Sequence, residues 1–113
     1  MKLLAGKVAI ITGGAGLNGL GFATAKMMAA QGATVAIVDL AGANPAAAAA
    51  NLGSQHFGVV GNVTDKASCD AAAKAVIAKL GRIDILFNNA GITGPTVKLL
   101  DIDPKEWAQV LAV

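Results

Sequence analysis

A run of glycines between residues 13 and 21 constrains the fold of this chain more than any other feature. From residue 12 it reads Thr-Gly-Gly-Ala-Gly-Leu-Asn-Gly-Leu-Gly. A short β-branched run at 8–11 precedes it and predicts a buried strand, and an apolar helical pattern at 21–31 follows. Glycines between a strand and a helix allow a tight reversal and a close approach of the backbone to a neighbour. Because a helix N-terminus attracts anions, we expect this turn to hold phosphate groups.

The rest of the chain alternates strand-like and helix-like segments. Further strands are predicted at 33–38, 56–60 and 83–87. Helices are predicted at 46–50 behind an Asn-Pro cap, at 66–80 behind Thr64 or Asp65, and from Asp103-Pro104 to the chain end. The connections are long enough for right-handed parallel crossovers. The pattern predicts an α/β fold, namely the N-terminal part of a Rossmann-type doubly wound parallel sheet with strand order 3-2-1-4.

Composition narrows the functional classes. Hydrophobic residues make up 55 % of the 113 residues and charged residues 14 %, as expected for strands buried on both faces. The net charge is +2 with scattered basic residues, so we expect no nucleic-acid partner. We also expect no membrane span, because no stretch of about 18 apolar residues occurs. The single cysteine, Cys69, excludes an internal disulfide and gives no metal-site spacing. A cytoplasmic protein without a metal is expected.

Asp39 ends the second predicted strand and points to a particular nucleotide. A carboxylate there can accept hydrogen bonds from both ribose hydroxyls of an adenosine and would repel a 2′-phosphate. No Arg or Lys lies between Gly13 and Gly21 or just after Asp39, which favours NAD over NADP. Alternatively, Asp39 only caps a turn. The spacing to Asp39 leaves either Gly19 or Gly21 as the last glycine of the phosphate-binding turn.

Together these features resemble the short-chain dehydrogenase/reductase family. Thr12-Gly13 and Gly19-Leu20-Gly21 match the two ends of its glycine motif, and this alignment makes Gly21 the last glycine. The turn is two residues longer than the family's, and the extra residues fall within 15–18. We hypothesise that the longer turn still wraps the pyrophosphate, with Asn18 near a phosphate or ribose oxygen.

Three further segments carry the resemblance. Asn62-Val63 resembles an Asp-Val pair whose polar side chain faces the adenine amino group, and Asn62 is expected to offer its amide oxygen there. Residues 88–91, Asn-Asn-Ala-Gly, match the family's segment beside the nicotinamide ribose. Trp107 and residues 110–113 resemble the start of the family's interface helix, which implies a homodimer or homotetramer.

Spacing and resemblance together give a set of expected NAD-binding residues. They are Gly13, Gly14, Asn18, Gly19, Leu20, Gly21, Asp39, Leu40, Asn62, Val63, Asn89, Ala90 and Gly91.

The resemblance implies NAD-dependent hydride transfer to or from an alcohol or ketone. In the family a Tyr, assisted by Lys, Ser and Asn, moves the proton, whereas this chain contains no Tyr. We therefore assign no catalytic residue and expect residues 1–113 to be one incomplete NAD-binding domain without the catalytic C-terminal half. The alternative is a non-catalytic NAD-binding or scaffold fragment. A Rossmann protein for another nucleotide or for adenosylmethionine is a third reading, against which residues 88–91 argue.

Overall fold

A computed structural model describes residues 1–113 and confirms the alternation of strands and helices. The elements are β1 Val8–Thr12, α1 Leu20–Ala30, β2 Thr34–Asp39, α2 Pro45–Leu52, β3 Phe57–Val60, α3 Lys66–Leu80, β4 Ile85–Phe87 and α4 Pro104–Ala112. Two short 3-10 turns, at Ala41–Ala43 and Leu99–Asp101, were not expected. None of the helices is both long and apolar enough to cross a membrane.

The four strands form one parallel sheet in the order β3-β2-β1-β4, which confirms the expected 3-2-1-4 arrangement. β1 is central, and its Ile11 pairs with Ile37 of β2 and with Phe87 of β4. Because all strands run the same way, their carboxyl ends meet at one edge of the sheet. The glycine-rich turn, Asp39, Asn62 and the Asn-Asn-Ala-Gly segment are thereby brought to that edge.

Each face of the sheet has its own core. On one face, Ile11, Val35 and Ile37 pack with Phe22 and Ala25 of α1. On the other face, Ile10 of β1 and Val38 of β2 pack with Val76 of α3. Every residue of β1 is buried, which explains why the strand reads as an uninterrupted apolar run. Met28 and Ala29 of α1 also pack against the first core.

Local hydrogen bonds account for the element boundaries. The Asn44 and Asp65 side chains accept from the N–H groups of Ala47 and Ala67 and so cap α2 and α3. β4 begins at Ile85 and not at residue 83. The Asp84 carboxylate accepts a hydrogen bond from the Val8 N–H at 2.8 Å and forms an ion pair with Arg82, and these contacts account for the later start. β3 begins at Phe57 and not at residue 56.

The last part of the chain is much more exposed than the sheet. α4 contributes no buried residue, and its Trp107 and Leu111 are 53 % and 73 % exposed. Leu100 just before it is 95 % exposed. The carboxyl end of this helix nevertheless reaches the cleft described next, through Gln109 and Val113.

Candidate functional site

Two glycines of the turn stand where a side chain would not fit. Gly13 has a φ of +68°, and a Cβ there would lie 2.7 Å from Cα of Ala90. A Cβ on Gly21 would lie 3.0 Å from Cα of Gly14 and would collide with the Asn89 side-chain amide. The glycines therefore let the turn, the start of α1 and the segment after β4 approach one another closely. Gly21 has the close-packing role expected of the last glycine of the motif.

The start of α1 is left without a capping side chain. Its N-cap is Gly19, in extended conformation, and its first turn has no acidic residue. The first N–H groups of a helix have no partner within the helix, so those at the start of α1 are open to another acceptor. They also lie at the positive end of the helix dipole. This arrangement suits the two negative charges of a pyrophosphate.

The extra residues of the turn form a local loop outside the cleft. The Gly19 N–H donates to the Gly16 carbonyl at 2.9 Å, which closes a tight turn with Leu17 and Asn18 at its tip. Asn18 lines a separate depression on the surface of α1, beside Phe22 and Lys26. It does not line the cleft that holds most of the other expected residues.

Asn89 and Thr12 fasten the segment after β4 to the glycine turn. Asn89 Nδ2 donates to the carbonyls of Thr12 and Gly13, both at 3.1 Å. The backbone N–H groups of Asn89 and Ala90 donate to Thr12 Oγ1 at 3.2 and 3.1 Å. Asn89 therefore positions the turn. Thr12 was missing from the expected site, although a threonine directly before the first glycine is a visible signal.

Asp39 links the turn to the end of β2. Its Oδ2 accepts the Ala15 N–H at 3.1 Å and its Oδ1 accepts the Leu40 N–H at 2.8 Å. Asp39 therefore caps a turn, in agreement with the alternative interpretation of this residue. A carboxylate has about four lone-pair sites, so both oxygens keep acceptor capacity for hydroxyl groups. The two backbone bonds fix the plane of the carboxylate before any ligand arrives.

Asn62 differs from the expectation in one respect. Its Oδ1 already accepts from both the backbone N–H and the hydroxyl of Thr64, at 3.0 and 2.7 Å. The amide oxygen that was expected to face an adenine amino group is therefore engaged within the protein. The sequence alone does not reveal this turn, because Thr64 is also a candidate N-cap for the following helix.

The expected residues gather around one cleft of about 450 Å³ at the carboxyl edge of the sheet. Gly14 and Gly21 lie buried behind it. Asp39 is the only charged residue that lines the cleft, and no Lys or Arg does. Nowhere do three or more His, Cys, Asp or Glu residues come together as metal ligands would. The expected residues in the lining are Gly13, Gly19, Leu20, Asp39, Leu40, Asn62, Val63, Asn89, Ala90 and Gly91, and those not expected include Ile92 and Gln109.

Comparisons with known proteins agree with this geometry. The family model described as short chain dehydrogenase matches residues 7–113. An uncharacterized short-chain type dehydrogenase/reductase of Sinorhizobium fredii is 44 % identical over 98 % of this chain and 45 % of its own length. D-threitol dehydrogenase of Mycolicibacterium smegmatis is 42 % identical over 97 % of this chain and 42 % of its own length.

A solved structure gives the same match in three dimensions. The 3-ketoacyl-(acyl-carrier-protein) reductase of Brucella melitensis, complexed with NADH, has a TM-score of 0.90 and 37 % identity. The superposition covers 97 % of this chain and 44 % of that one. The chain thus spans less than half the length of these relatives.

Proposed function

Because the chain belongs to the short-chain dehydrogenase family, we propose that it forms the NAD-binding part of an oxidoreductase. The proposed reaction is hydride transfer between NAD and an alcohol or carbonyl substrate. Family membership supports the reaction class. The observation that carries the choice of NAD is the fixed Asp39 carboxylate in a cleft that no basic side chain lines.

The electrostatics of the cleft favour NAD over NADP. A ribose 2′-hydroxyl can donate to Asp39, whereas a 2′-phosphate would bring negative charge against a carboxylate without a compensating cation. Ala15 and Leu40 hold that carboxylate through backbone N–H groups, so it cannot turn away without losing two hydrogen bonds. The NADH bound to the Brucella reductase points the same way.

Different residues of the cleft would bind different parts of the cofactor. The free N–H groups at the start of α1 would bind the pyrophosphate, and Asp39 would bind the adenosine ribose. Leu40 and Asn62-Val63 would flank the base, and Ala90-Gly91 would lie towards the nicotinamide half. Asn89 would act indirectly, by holding the turn in shape. When bound, the oxidised cofactor NAD would accept the hydride, and its reduced form NADH would supply it.

The proposal extends to the whole protein. We propose that the groups that transfer the proton and bind the alcohol or ketone follow Val113, since the match covers only 45 % of the Sinorhizobium relative. The exposed apolar side chains of α4, among them Trp107 and Leu111, support a homodimer or homotetramer. Cys69 is a free, exposed thiol, which fits a reducing cytoplasm.

A non-catalytic NAD-binding or scaffold fragment is the second candidate. The observation that favours it is that the cleft is built within residues 1–113, which contain no Tyr. It predicts NAD binding without NADH formation on any alcohol. NADH formation followed by absorbance, with a panel of alcohols and the protein that includes the residues proposed to follow Val113, separates the two candidates.

Replacement of Asp39 tests the cofactor assignment. In Asp39→Ala we expect NAD affinity to fall by at least about tenfold, because a hydrogen bond to a charged group is worth about 1.5–3 kcal/mol. NADP affinity should rise, because the repulsion is removed. Isothermal titration calorimetry with both cofactors measures the ratio, and Asp101→Ala is the matched control for charge outside the cleft. An unchanged NAD/NADP ratio in Asp39→Ala would refute the assignment.

A further inference from the structure

The strand order fixes the direction in which a dinucleotide lies, provided that NAD binds as proposed above. The pyrophosphate site follows β1, and the ribose-binding Asp39 follows β2. β3 is the next strand on that side, so the base continues towards the residues that follow β3. The Gly61 N–H donates to the Asp39 carbonyl at 2.9 Å, which keeps this segment directly beside the ribose site. Asn62 is the first polar side chain there.

Asn62 is held in one orientation by its own neighbours. Its Oδ1 accepts from the Thr64 N–H and from the Thr64 hydroxyl. The atom facing that backbone N–H must be oxygen, because an amide nitrogen cannot accept the bond. The Asn62 backbone N–H donates to Ser68 Oγ at 2.8 Å, which fixes the main chain as well.

This orientation of the Asn62 amide leaves its N–H donors free and leaves it no free acceptor. A carbonyl oxygen has two lone pairs, and Thr64 occupies both. Asn62 Nδ2 carries two N–H groups, makes no hydrogen bond within the protein and belongs to an exposed residue of the cleft. The 6-amino group of adenine is itself a donor and cannot pair with them. The ring nitrogens on either side of that amino group are acceptors and can.

We infer that Asn62 recognises adenine by donating from Nδ2 to a ring nitrogen, so that the base is bound without a hydrogen bond to its 6-amino group. Binding should then tolerate loss of the amino group and be weakened by loss of the ring acceptor. An aspartate at this position would behave in the opposite way. One carboxylate oxygen would still accept from Thr64, and the other would require the amino group as its donor.

Calorimetry on the full chain with NAD and three analogues tests this inference. The first analogue carries unsubstituted purine in place of adenine and is called the deamino analogue here. The other two are the 1-deaza and 7-deaza adenine dinucleotides. For the wild type we expect the deamino analogue to bind within about twofold of NAD. We expect one of the deaza analogues to bind about fivefold more weakly, the effect of one neutral hydrogen bond. In Asn62→Asp the deamino analogue should become the weak one, again by about fivefold.

Ratios between cofactors remove the effect of the added charge, because that charge opposes all of the dinucleotides alike. Asn51→Asp is the matched control, since Asn51 lies on α2 outside the cleft and its Nδ2 bonds the Ala47 carbonyl. Its ratios should equal those of the wild type. Asn62→Ala should weaken NAD by about fivefold and abolish the preference among the analogues.

Three results would overturn the inference while leaving NAD binding intact. They are a wild type that loses about fivefold on the deamino analogue, an Asn62→Asp variant with wild-type ratios, and an Asn62→Ala variant with unchanged NAD affinity. A wild type that binds no NAD would overturn the proposed function itself, and this inference with it.

Discussion

The centre of the sheet is tightly packed, whereas the end of the chain is largely exposed. At the centre, β1 and β2 are covered on both faces, and Ile11, Val35 and Ile37 are completely buried. At the other end, Leu86 of the edge strand β4 is 57 % exposed and α4 buries nothing. The candidate cleft lies where the packed region ends, and Gln109 and Val113 bring the end of the chain into its lining.

The difference shows which part of the geometry this chain determines by itself. The glycine turn is held by hydrogen bonds with the side chains of Asn89 and Asp39 and lies close to the backbone of Ala90. Asp39 ends β2, which is buried at the centre of the sheet, and Asn89 and Ala90 follow β4. Nothing comparable anchors α4. We therefore expect perturbations near the turn to have large effects and perturbations of exposed side chains to have small ones.

Gly13→Ala should produce the largest effect. Gly13 combines a left-handed φ of +68° with a Cβ position 2.7 Å from the Ala90 backbone. The conformational strain alone costs about 1–2 kcal/mol, and the contact adds to it. We expect the free energy of unfolding, measured with urea, to fall by about 3 kcal/mol and NAD binding to be lost. The matched control is Gly16→Ala in the same turn, where an added Cβ meets no atom within 4 Å. Equal losses in the two variants would contradict the account.

Asp84→Ala should have the next largest effect. Its carboxylate accepts the Val8 N–H at 2.8 Å and so joins the start of β4 to the start of buried β1. Removing it leaves that N–H without its protein partner, so the free energy of unfolding measured with urea should fall. Asp70→Ala breaks only the exposed ion pair with Lys66 and should cost at most about 0.5 kcal/mol. If both variants lost the same stability, β4 would not depend on this anchor.

His56 should make the packed region mildly sensitive to acid. Its Nδ1 accepts the Val35 N–H at 3.0 Å, and its Nε2 is buried without a partner. Burial lowers the pKa of His56 below its ordinary value. The unfolded chain then binds the proton more readily, so stability is complete above the ordinary histidine pKa and declines as the pH falls through it. Protonation would also remove the acceptor for Val35.

Thermal melts between about pH 8 and about pH 5 measure this effect. His56→Gln keeps an acceptor but does not titrate, and the chain has no other histidine. The melting temperature of the wild type should fall more steeply towards low pH than that of the variant. Parallel slopes would show that His56 carries no pH dependence.

The fold could be predicted from the sequence because its signals are local. Alternating apolar runs and the Asn44 and Asp65 caps predicted the elements, and right-handed crossovers predicted the strand order. The boundaries of β4 could not be predicted, because they depend on the contact of Asp84 with Val8, a residue distant in sequence.

The sequence predicted which residues belong to the candidate site better than it predicted what each residue does there. The edge formed by the carboxyl ends of parallel strands brings Asp39, Asn62 and Ala90 into one cleft whatever their side chains do. The roles depend on hydrogen bonds between segments, such as Asn89 to Gly13 and Ala15 to Asp39, which spacing does not encode. The occupied oxygen of Asn62 is of the same kind.

The most direct test of the central claim is a calorimetric titration of the wild-type chain with NAD and with NADP at one ionic strength. We expect NAD to bind at least about tenfold more tightly, because a ribose 2′-hydroxyl can donate to Asp39, whereas no Lys or Arg lines the cleft to offset a 2′-phosphate. Equal affinity for the two cofactors, or tighter binding of NADP, would contradict it.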